Sequence, residues 1–211
     1  YQNDVDAFLQ TANTLCLQKP WFLLANSMGG IIGLRAIMQG LPVAACSFTA
    51  PMWGIKMSLL QRLIAKQVSG AACALGRGET YVPGHDGQNY VSHTPFEGNR
   101  ITFDRENYDY WFRQARTKPE LQTAGSSMKW LHESLKECHR ITKLPSPNIP
   151  CISFYGDHDD VVDEHAIQER MKAWSSGEYV ELENAKHALL LEQPKVRRTV
   201  ISKTIQRFLE A

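Results

Sequence analysis

The sequence contains no hydrophobic run long enough to cross a membrane, since a spanning helix needs about 20 consecutive apolar residues. Its first residues are acidic and helix-like, so no signal peptide is predicted there. The formal net charge is only +1, which gives no reason to expect a nucleic acid or an anionic membrane as a partner. These absences predict a cytoplasmic location without a transmembrane segment, and transient contact with a membrane surface is left open.

Cysteine is also scarce and scattered. The five cysteines include no C-x-x-C pair, and Cys46 and Cys151 lie in apolar runs where a thiol behaves as a small hydrophobic side chain. Neither a disulfide scaffold nor a zinc site is expected. His85, Asp86 and His93 lie close together, but their spacing fits no common ligand pattern, and we interpret them as polar loop residues. The sequence therefore predicts no metal and no cofactor.

Residues 21–31, WFLLANSMGGI, are the most informative segment. A short apolar run stops at Ser27, two glycines follow, and helical periodicity then resumes. This pattern predicts a strand, a sharp turn and a helix, with the serine hydroxyl exposed at the apex near the helix N-terminus. Gly29 is expected to allow close backbone approach, and Gly30 to let the helix pack onto the sheet. The usual form of this turn is G-x-S-x-G, and Ala25 replaces its first glycine.

Apolar periodicity predicts alternating helices and strands at both ends of the chain. The order helix, strand, helix, strand is typical of parallel strands joined by crossover helices. With 211 residues the chain can bury one core and carry an inserted subdomain. The predicted strands are 21–25, 43–49, 149–155 and 179–182, and the predicted helices are 1–17, 30–38, 57–68, 128–138, 165–174 and 196–209.

The middle of the chain, residues 52–144, has no comparable apolar strand. Within it, residues 76–107 are rich in Gly, His, Tyr, Asn and Thr and predict little regular structure. So long a segment in a compact protein is more often a lid or a binding segment than a connector. The aromatic cluster that follows is interpreted as core of this region, with a wall for a bound ligand as the alternative: Tyr108, Tyr110, Trp111 and Phe112.

Three motifs occur in the order serine, aspartate, histidine. They are NSMGG at residues 26–30, GDHDDVV at residues 156–162 and NAKHALL at residues 184–190. Together they resemble the α/β-hydrolase superfamily, and most closely its bacterial lysophospholipase and monoacylglycerol-lipase-like branch. The resemblance covers essentially the whole chain, and the combination of three motifs is far more specific than any one of them.

The resemblance implies a Ser-Asp-His catalytic triad in which Ser27 is the nucleophile, His187 the general base and Asp159 the acid that orients the base. The backbone N–H of Met28, directly after the nucleophile, would donate to the oxyanion. Asp160 is the alternative acid if the register differs by one residue. The neighbouring His158 is expected at the surface.

Plainer interpretations of the same residues exist. A serine before two glycines is often a helix N-cap, but the buried strand before Ser27 favours a nucleophile. His187 could cap the apolar run that follows it, but its position after the last predicted strand favours a base.

The resemblance also implies an architecture, the α/β-hydrolase fold, with a mostly parallel sheet flanked by helices. Residues 1–51 and 145–211 would form the core, and residues 52–144 an inserted, mainly helical cap or lid. Members of this fold carry more strands than the four predicted here. The N-terminal strands are therefore expected to be missing from this chain, and the N-terminal part of the same hydrolase is an expected partner.

The function implied is that of a serine hydrolase that cleaves carboxylic esters of lipid-like substrates, such as a lysophospholipid or a monoacylglycerol, through an acyl-serine intermediate. A small-molecule lipid ester is the expected substrate. The alternative is a non-catalytic relative, or an inactive C-terminal fragment of such a hydrolase.

Overall fold

The computed structural model describes residues 1–211, apart from the side chain of residue 121. Within this part of the chain, the strands β1 (Trp21–Asn26), β2 (Val43–Thr49), β3 (Cys151–Gly156) and β4 (Gly177–Leu182) form one parallel sheet in that order. The α-helices are α1 (Gln2–Thr14), α2 (Met28–Met38), α3 (Leu59–Ala74), α4 (Tyr90–His93), α5 (Arg105–Thr117), α6 (Met128–Ile141), α7 (Glu164–Lys172) and α8 (Pro194–Leu209).

The two central strands explain why the sheet is parallel and covered on both faces. All six residues of β3 are buried, as are the last five of β2, which is the pattern of strands packed between two helical layers. On one face Phe48 packs with Trp53, Trp174 and residues of α2 and α7. On the other face Ile152 and Phe154 pack against α8. The predicted α/β class and all four predicted strands are confirmed.

β1 lies at one edge of this sheet and pairs with β2. Its side chains alternate between half-buried and exposed, and Phe22 and Leu24 are exposed. On its other edge no strand pairs with it among the described residues. That the N-terminal part of the same hydrolase pairs with this chain stays a prediction.

The segment between β2 and β3 contains α3 to α6 and is mainly helical. α3 begins where the Ser58 hydroxyl accepts a hydrogen bond from the Gln61 N–H and the Gln61 side chain accepts one from the Ser58 N–H. It continues past the predicted end, since the first helix-stopping residue is Gly76, whose φ is +72°. α5 was not predicted, although its inward side chains Tyr108, Trp111, Phe112 and Ala115 recur at helical spacing. The cap boundaries at residues 52 and 144 stay a prediction.

Most of the aromatic cluster forms a small core within this segment. Tyr108 is 2% exposed, and Trp111 and Phe112 pack beside it against Val91. Tyr110, on the opposite side of α5, is 53% exposed, so the prediction of a core position was wrong for this residue. Within the described residues, no helix combines the length and the apolar character that crossing a bilayer requires.

The thiols provide a test of this packing. At about pH 8, near the usual pKa of a thiol, we expect a disulfide reagent to modify the exposed Cys16 fastest and to spare Cys46, Cys138 and Cys151 until the protein unfolds. Burial raises the pKa of Cys138 to about 12, so its reactive thiolate is rare as well as inaccessible. The measurement is a timed thiol count with and without denaturant, and Cys16→Ser is the control that should remove the fast phase. Rapid modification of three or more thiols in the native protein would contradict the fold described.

Candidate active site

Ser27 lies in a strained turn between β1 and α2. Its φ of +51° falls in the left-handed region, which costs a non-glycine residue about 1–3 kcal/mol. Neighbouring backbone stabilises the turn: the Ser27 N–H donates to the Thr49 carbonyl (3.0 Å), and the Ser27 carbonyl accepts from the N–H groups of Met52 (2.9 Å) and Gly30 (2.8 Å). The end of β2 therefore fixes the position from which the Ser27 hydroxyl projects.

Of the two glycines after Ser27, only Gly30 lies where a side chain would clash with neighbouring backbone. A Cβ on Gly30 would lie 2.7 Å from the Pro51 Cα, so α2 can start against the end of β2 only with glycine there. A Cβ on Gly29 would lie 3.8 Å from the Ala25 Cβ, an ordinary contact. The prediction of a close approach at Gly29 was therefore wrong, and the methyl group of Ala25 fits the turn without a clash.

Asp159 lies in the loop after β3 and is fully buried. Its Oδ1 accepts hydrogen bonds from the N–H groups of Val161 (2.8 Å) and Val162 (3.2 Å). Its backbone carbonyl accepts from the Tyr155 hydroxyl (2.9 Å) and the Lys56 ammonium (2.8 Å). Burial, together with the Asp159 charge, raises the pKa of Tyr155, so the phenol remains a donor. These bonds leave Oδ2 as the oxygen that faces the histidine.

The His187 ring lies between the other two side chains. Its Nδ1 is 2.8 Å from Asp159 Oδ2, and its Nε2 is 2.7 Å from Ser27 Oγ. The residue is 6% exposed. A carboxylate only accepts hydrogen bonds, so the proton on Nδ1 is donated to Asp159. Nε2 is then left with a lone pair directed at the Ser27 hydroxyl.

Met28, whose N–H is the predicted oxyanion donor, directly follows Ser27 in the chain. Met28 is the first residue of α2, and its N–H precedes the first hydrogen bond of that helix, which Gly30 makes to Ser27. N–H groups in the first turn have no partner within the helix and attract negative charge. This arrangement can deprotonate an attacking hydroxyl and stabilise a developing oxyanion beside it.

The other acids near Asp159 face elsewhere. Asp160, the alternative acid, is exposed and pairs with Arg100 of the segment between β2 and β3 (2.7 Å). Asp157 bonds to His158 (2.7 Å) and to the Ala185 N–H (3.1 Å). Burial raises the pKa of Asp157, but these hydrogen bonds outweigh it, and the pKa is lowered overall. The side chain of His158 is 54% exposed, as predicted.

Sequence reasoning missed the residues that support the site from a distance. Lys56 and Arg100 contact the acid loop from 103 and 60 residues away in sequence, and no periodicity reports such a contact. His85, considered as a metal ligand, instead accepts a hydrogen bond from the Ser126 N–H (3.0 Å). Across the described residues, no group of three or more His, Cys, Asp or Glu side chains is placed to hold a metal ion.

Known proteins resemble this chain over nearly its whole length. The model of the family described as "Hydrolase_4: Serine aminopeptidase, S33" matches residues 1–194. The chain is 26% identical over 213 residues to the probable lysophospholipase L2 of Haemophilus influenzae. That match covers 99% of this chain and 66% of the relative, so the chain spans less than two thirds of the length of this curated protein.

Two crystal structures share the fold. A soluble variant of the monoglyceride lipase from Saccharomyces cerevisiae matches with a TM-score of 0.70 at 19% identity, over 99% of this chain and 68% of that chain. The monoacylglycerol lipase of Paleococcus ferrophilus matches with a TM-score of 0.71 at 12% identity, over 100% and 74% of the two chains.

Gly156, the last residue of β3, joins the aspartate loop to the histidine loop. A Cβ there would lie 2.7 Å from the Lys186 carbonyl oxygen and 2.7 Å from the Ala185 carbonyl carbon, so the two loops touch only because this residue has no side chain.

We expect Gly156→Ala to push these loops apart and to lower the free energy of unfolding by about 1–3 kcal/mol, measured by urea denaturation. Gly98→Ala is the matched control, because a Cβ on Gly98 meets nothing within 4 Å. Equal stability of the wild type and Gly156→Ala would contradict the close approach of the two loops.

Proposed function

Since the chain belongs to the Hydrolase_4 (serine aminopeptidase, S33) family and has the α/β-hydrolase fold, we propose that it is a carboxylic ester hydrolase that acts on lipid-like esters through an acyl-serine intermediate. The row of hydrogen bonds from Asp159 through His187 to Ser27 is the observation that carries this proposal. It combines a nucleophile, a base and a group that orients the base, which is what acyl transfer requires.

In the proposed reaction, His187 Nε2 takes the hydroxyl proton as Ser27 Oγ attacks the ester carbonyl carbon. The imidazolium then gives this proton to the leaving alcohol as the C–O bond breaks. Water attacks the acyl-serine with the same ring as base, which releases the acid and restores Ser27. Buried Asp159 stabilises the imidazolium and holds its orientation, and the Met28 N–H stabilises the oxyanion of each tetrahedral intermediate.

The alternative is a non-catalytic relative or an inactive fragment. A non-catalytic relative would have no functional reason to keep this arrangement of side chains. All three side chains come from different loops, and His187 lies at hydrogen-bond distance from both of the others. The strained φ of Ser27 adds to this argument, because such strain is concentrated at functional sites.

A lipid-like acyl group is proposed for two reasons. The relative and the solved structures carry the names lysophospholipase and monoacylglycerol lipase. In addition, Met28, Ile31, Met52 and Trp130 form the apolar part of the lining of a cavity of about 580 Å³, whose remaining lining includes charged side chains such as Glu133 and Glu137. The Trp130 indole N–H donates to the Met28 sulfur at 3.1 Å, so α6 contacts the side chain of the residue whose N–H is the proposed oxyanion donor.

We further propose that the outer face of α3 contacts the lipid surface that supplies the substrate. This helix packs on α6, with Ser69 buried and Gly70 against the His132 ring, and its large apolar side chains point outward, the reverse of an ordinary surface helix. Exposed apolar patches of this kind mark interaction sites. The outward side chains are Leu59 (86% exposed), Leu60 (67%), Leu63 (57%), Ile64 (53%) and Val68 (48%).

The charges beside this face favour an anionic lipid surface as its partner. Residues 52–78 contain four cationic side chains, Lys56, Arg62, Lys66 and Arg77, and no Asp or Glu. Arg62 is paired with Asp163 (2.8 Å), and the other three leave the local charge positive although the net charge of the chain is only +1. Lys56 also connects this end of α3 to the carbonyl of Asp159 (2.8 Å), which places the helix beside the site. The cytoplasmic location stays a prediction.

Replacement of the proposed nucleophile tests the reaction. We expect Ser27→Ala to lower kcat for p-nitrophenyl ester hydrolysis by the full-length protein by at least about 10³-fold, with His187→Gln of similar effect. A graded series of acyl chains then reports the chain-length preference, and an aminoacyl nitroanilide tests the peptide chemistry that the family description names.

Ser202→Ala is the control, because this serine is exposed on α8 and should keep full activity. Hydrolysis that survives in Ser27→Ala, or a wild type without any hydrolysis of esters, would contradict the proposal.

A separate experiment tests the lipid-facing helix. We expect Leu60→Gln/Ile64→Gln to weaken sedimentation with vesicles of anionic phospholipid by at least about 10-fold, since each side chain loses roughly 1.5 kcal/mol or more of apolar burial. Ile201→Gln/Ile205→Gln is the matched control, an exposed i, i+4 pair on α8. Undiminished binding by the α3 variant, or equal loss in the control, would contradict the assignment, and a stable dimer that the α3 variant dissociates would assign this face to a second copy instead.

A further inference from the structure

Glu192 is a fully buried carboxylate that the proposed reaction does not use. It follows the short turn Leu189–Leu191 after the histidine loop and is 0% exposed. Within the described residues, no Lys, Arg or His side chain lies close enough to form a salt bridge with it, within 4.0 Å. A buried carboxylate is strongly unfavourable unless hydrogen bonds stabilise it, so its partners show what it does.

Three backbone N–H groups converge on this carboxylate. Oε1 accepts from Lys186 (2.9 Å) and Phe103 (2.9 Å), and Oε2 accepts from Gln193 (3.1 Å). Lys186 directly precedes His187 in the histidine loop. Phe103 belongs to the segment between β2 and β3. One carboxylate oxygen therefore joins the loop of the proposed base to the inserted segment.

Further hydrogen bonds run parallel to this connection. The Ala188 N–H donates to the Ile101 carbonyl (2.8 Å), the Thr102 hydroxyl donates to the Leu191 carbonyl (2.9 Å), and the Lys186 ammonium donates to a carbonyl of the same segment (2.6 Å). The residues on both sides of His187 are thus bonded to residues 99–103. The histidine loop follows β4 and is also bonded to the aspartate loop through Ala185, so the contacts with residues 99–103 hold it from a second side.

We propose that Glu192 is a positioning residue for the reaction, which fixes the backbone at Lys186 so that the His187 ring remains between Asp159 and Ser27. The assignment rests on the proposed function, since it gives His187 the role of base. The geometry needed is narrow, because displacement of a catalytic group by about 1 Å can lower a rate by about 10²-fold.

The chemistry of the site distinguishes three variants. Glu192→Gln keeps an oxygen that can accept from Lys186 and Phe103, but places an NH₂ group against the Gln193 N–H. Glu192→Ala leaves all three donors unpaired. Glu192→Asp keeps the charge and withdraws both oxygens by about one C–C bond. A positioning role therefore predicts that Gln recovers most of the function that Ala and Asp lose.

The kinetic test uses the full-length protein, with kcat and KM for a short p-nitrophenyl ester and the rate of labelling by a fluorophosphonate. We expect Glu192→Ala and Glu192→Asp to lower kcat and the labelling rate by about 10- to 100-fold with little change in KM, and Glu192→Gln to stay within a few-fold of the wild type. Thr204→Val is the control, because it removes a buried hydrogen bond to Ser47 (2.8 Å) between α8 and β2 and should lower the melting temperature with kcat unchanged.

A second measurement does not depend on activity. Amide hydrogen exchange at Lys186 and Phe103 should accelerate in Glu192→Asp and remain slow in Glu192→Gln. If the wild type is inactive but shows this exchange pattern, the proposed ester hydrolysis is wrong. Glu192 is then still the residue that fixes the histidine loop. Unchanged exchange in Glu192→Asp, unchanged kcat in Glu192→Ala, or a fall in kcat as large in Thr204→Val would overturn the inference.

Discussion

The two hydrogen bonds of the His187 ring join parts of the chain that are 28 and 160 residues apart in sequence. Each bond is possible only because the loops with Ser27, Asp159 and His187 follow the parallel strands β1, β3 and β4 at the same edge of the sheet. The end of β2 fixes the serine turn through hydrogen bonds. The absence of a side chain at Gly156 then lets the histidine loop come close enough to reach Asp159. The proposed chemistry therefore depends on backbone placement as well as on the identity of the three side chains.

The segment between β2 and β3 is a structural part of this site. Arg100 bonds to Asp160, Lys56 to the carbonyl of Asp159, and Phe103 to Glu192. Both the acid loop and the histidine loop are thus fixed by residues of this one segment.

The parts of the site that follow from local signals could be predicted from sequence. The serine turn was predicted because an apolar run, Ser27 and two glycines act within a few residues of each other. The aspartate and histidine motifs follow strands that periodicity identifies. Lys56, Arg100 and Glu192 were not predicted, because their roles arise from contacts across 103, 60 and 89 residues of chain. α5 was missed although its inward residues recur at helical spacing, because its aromatic residues were read as a cluster and not as one face of a helix.

His187 is proposed to activate Ser27. This activation is tested by identifying the residue that a fluorophosphonate modifies and the rate at which it does so. The full-length protein is treated with a fluorophosphonate, digested, and the modified peptide identified by mass spectrometry in the wild type and in His187→Gln. We expect a single adduct on Ser27 that forms rapidly in the wild type and at least about 10³-fold more slowly without the imidazole. An adduct on another residue, or a labelling rate that does not change when His187 is replaced, would contradict it.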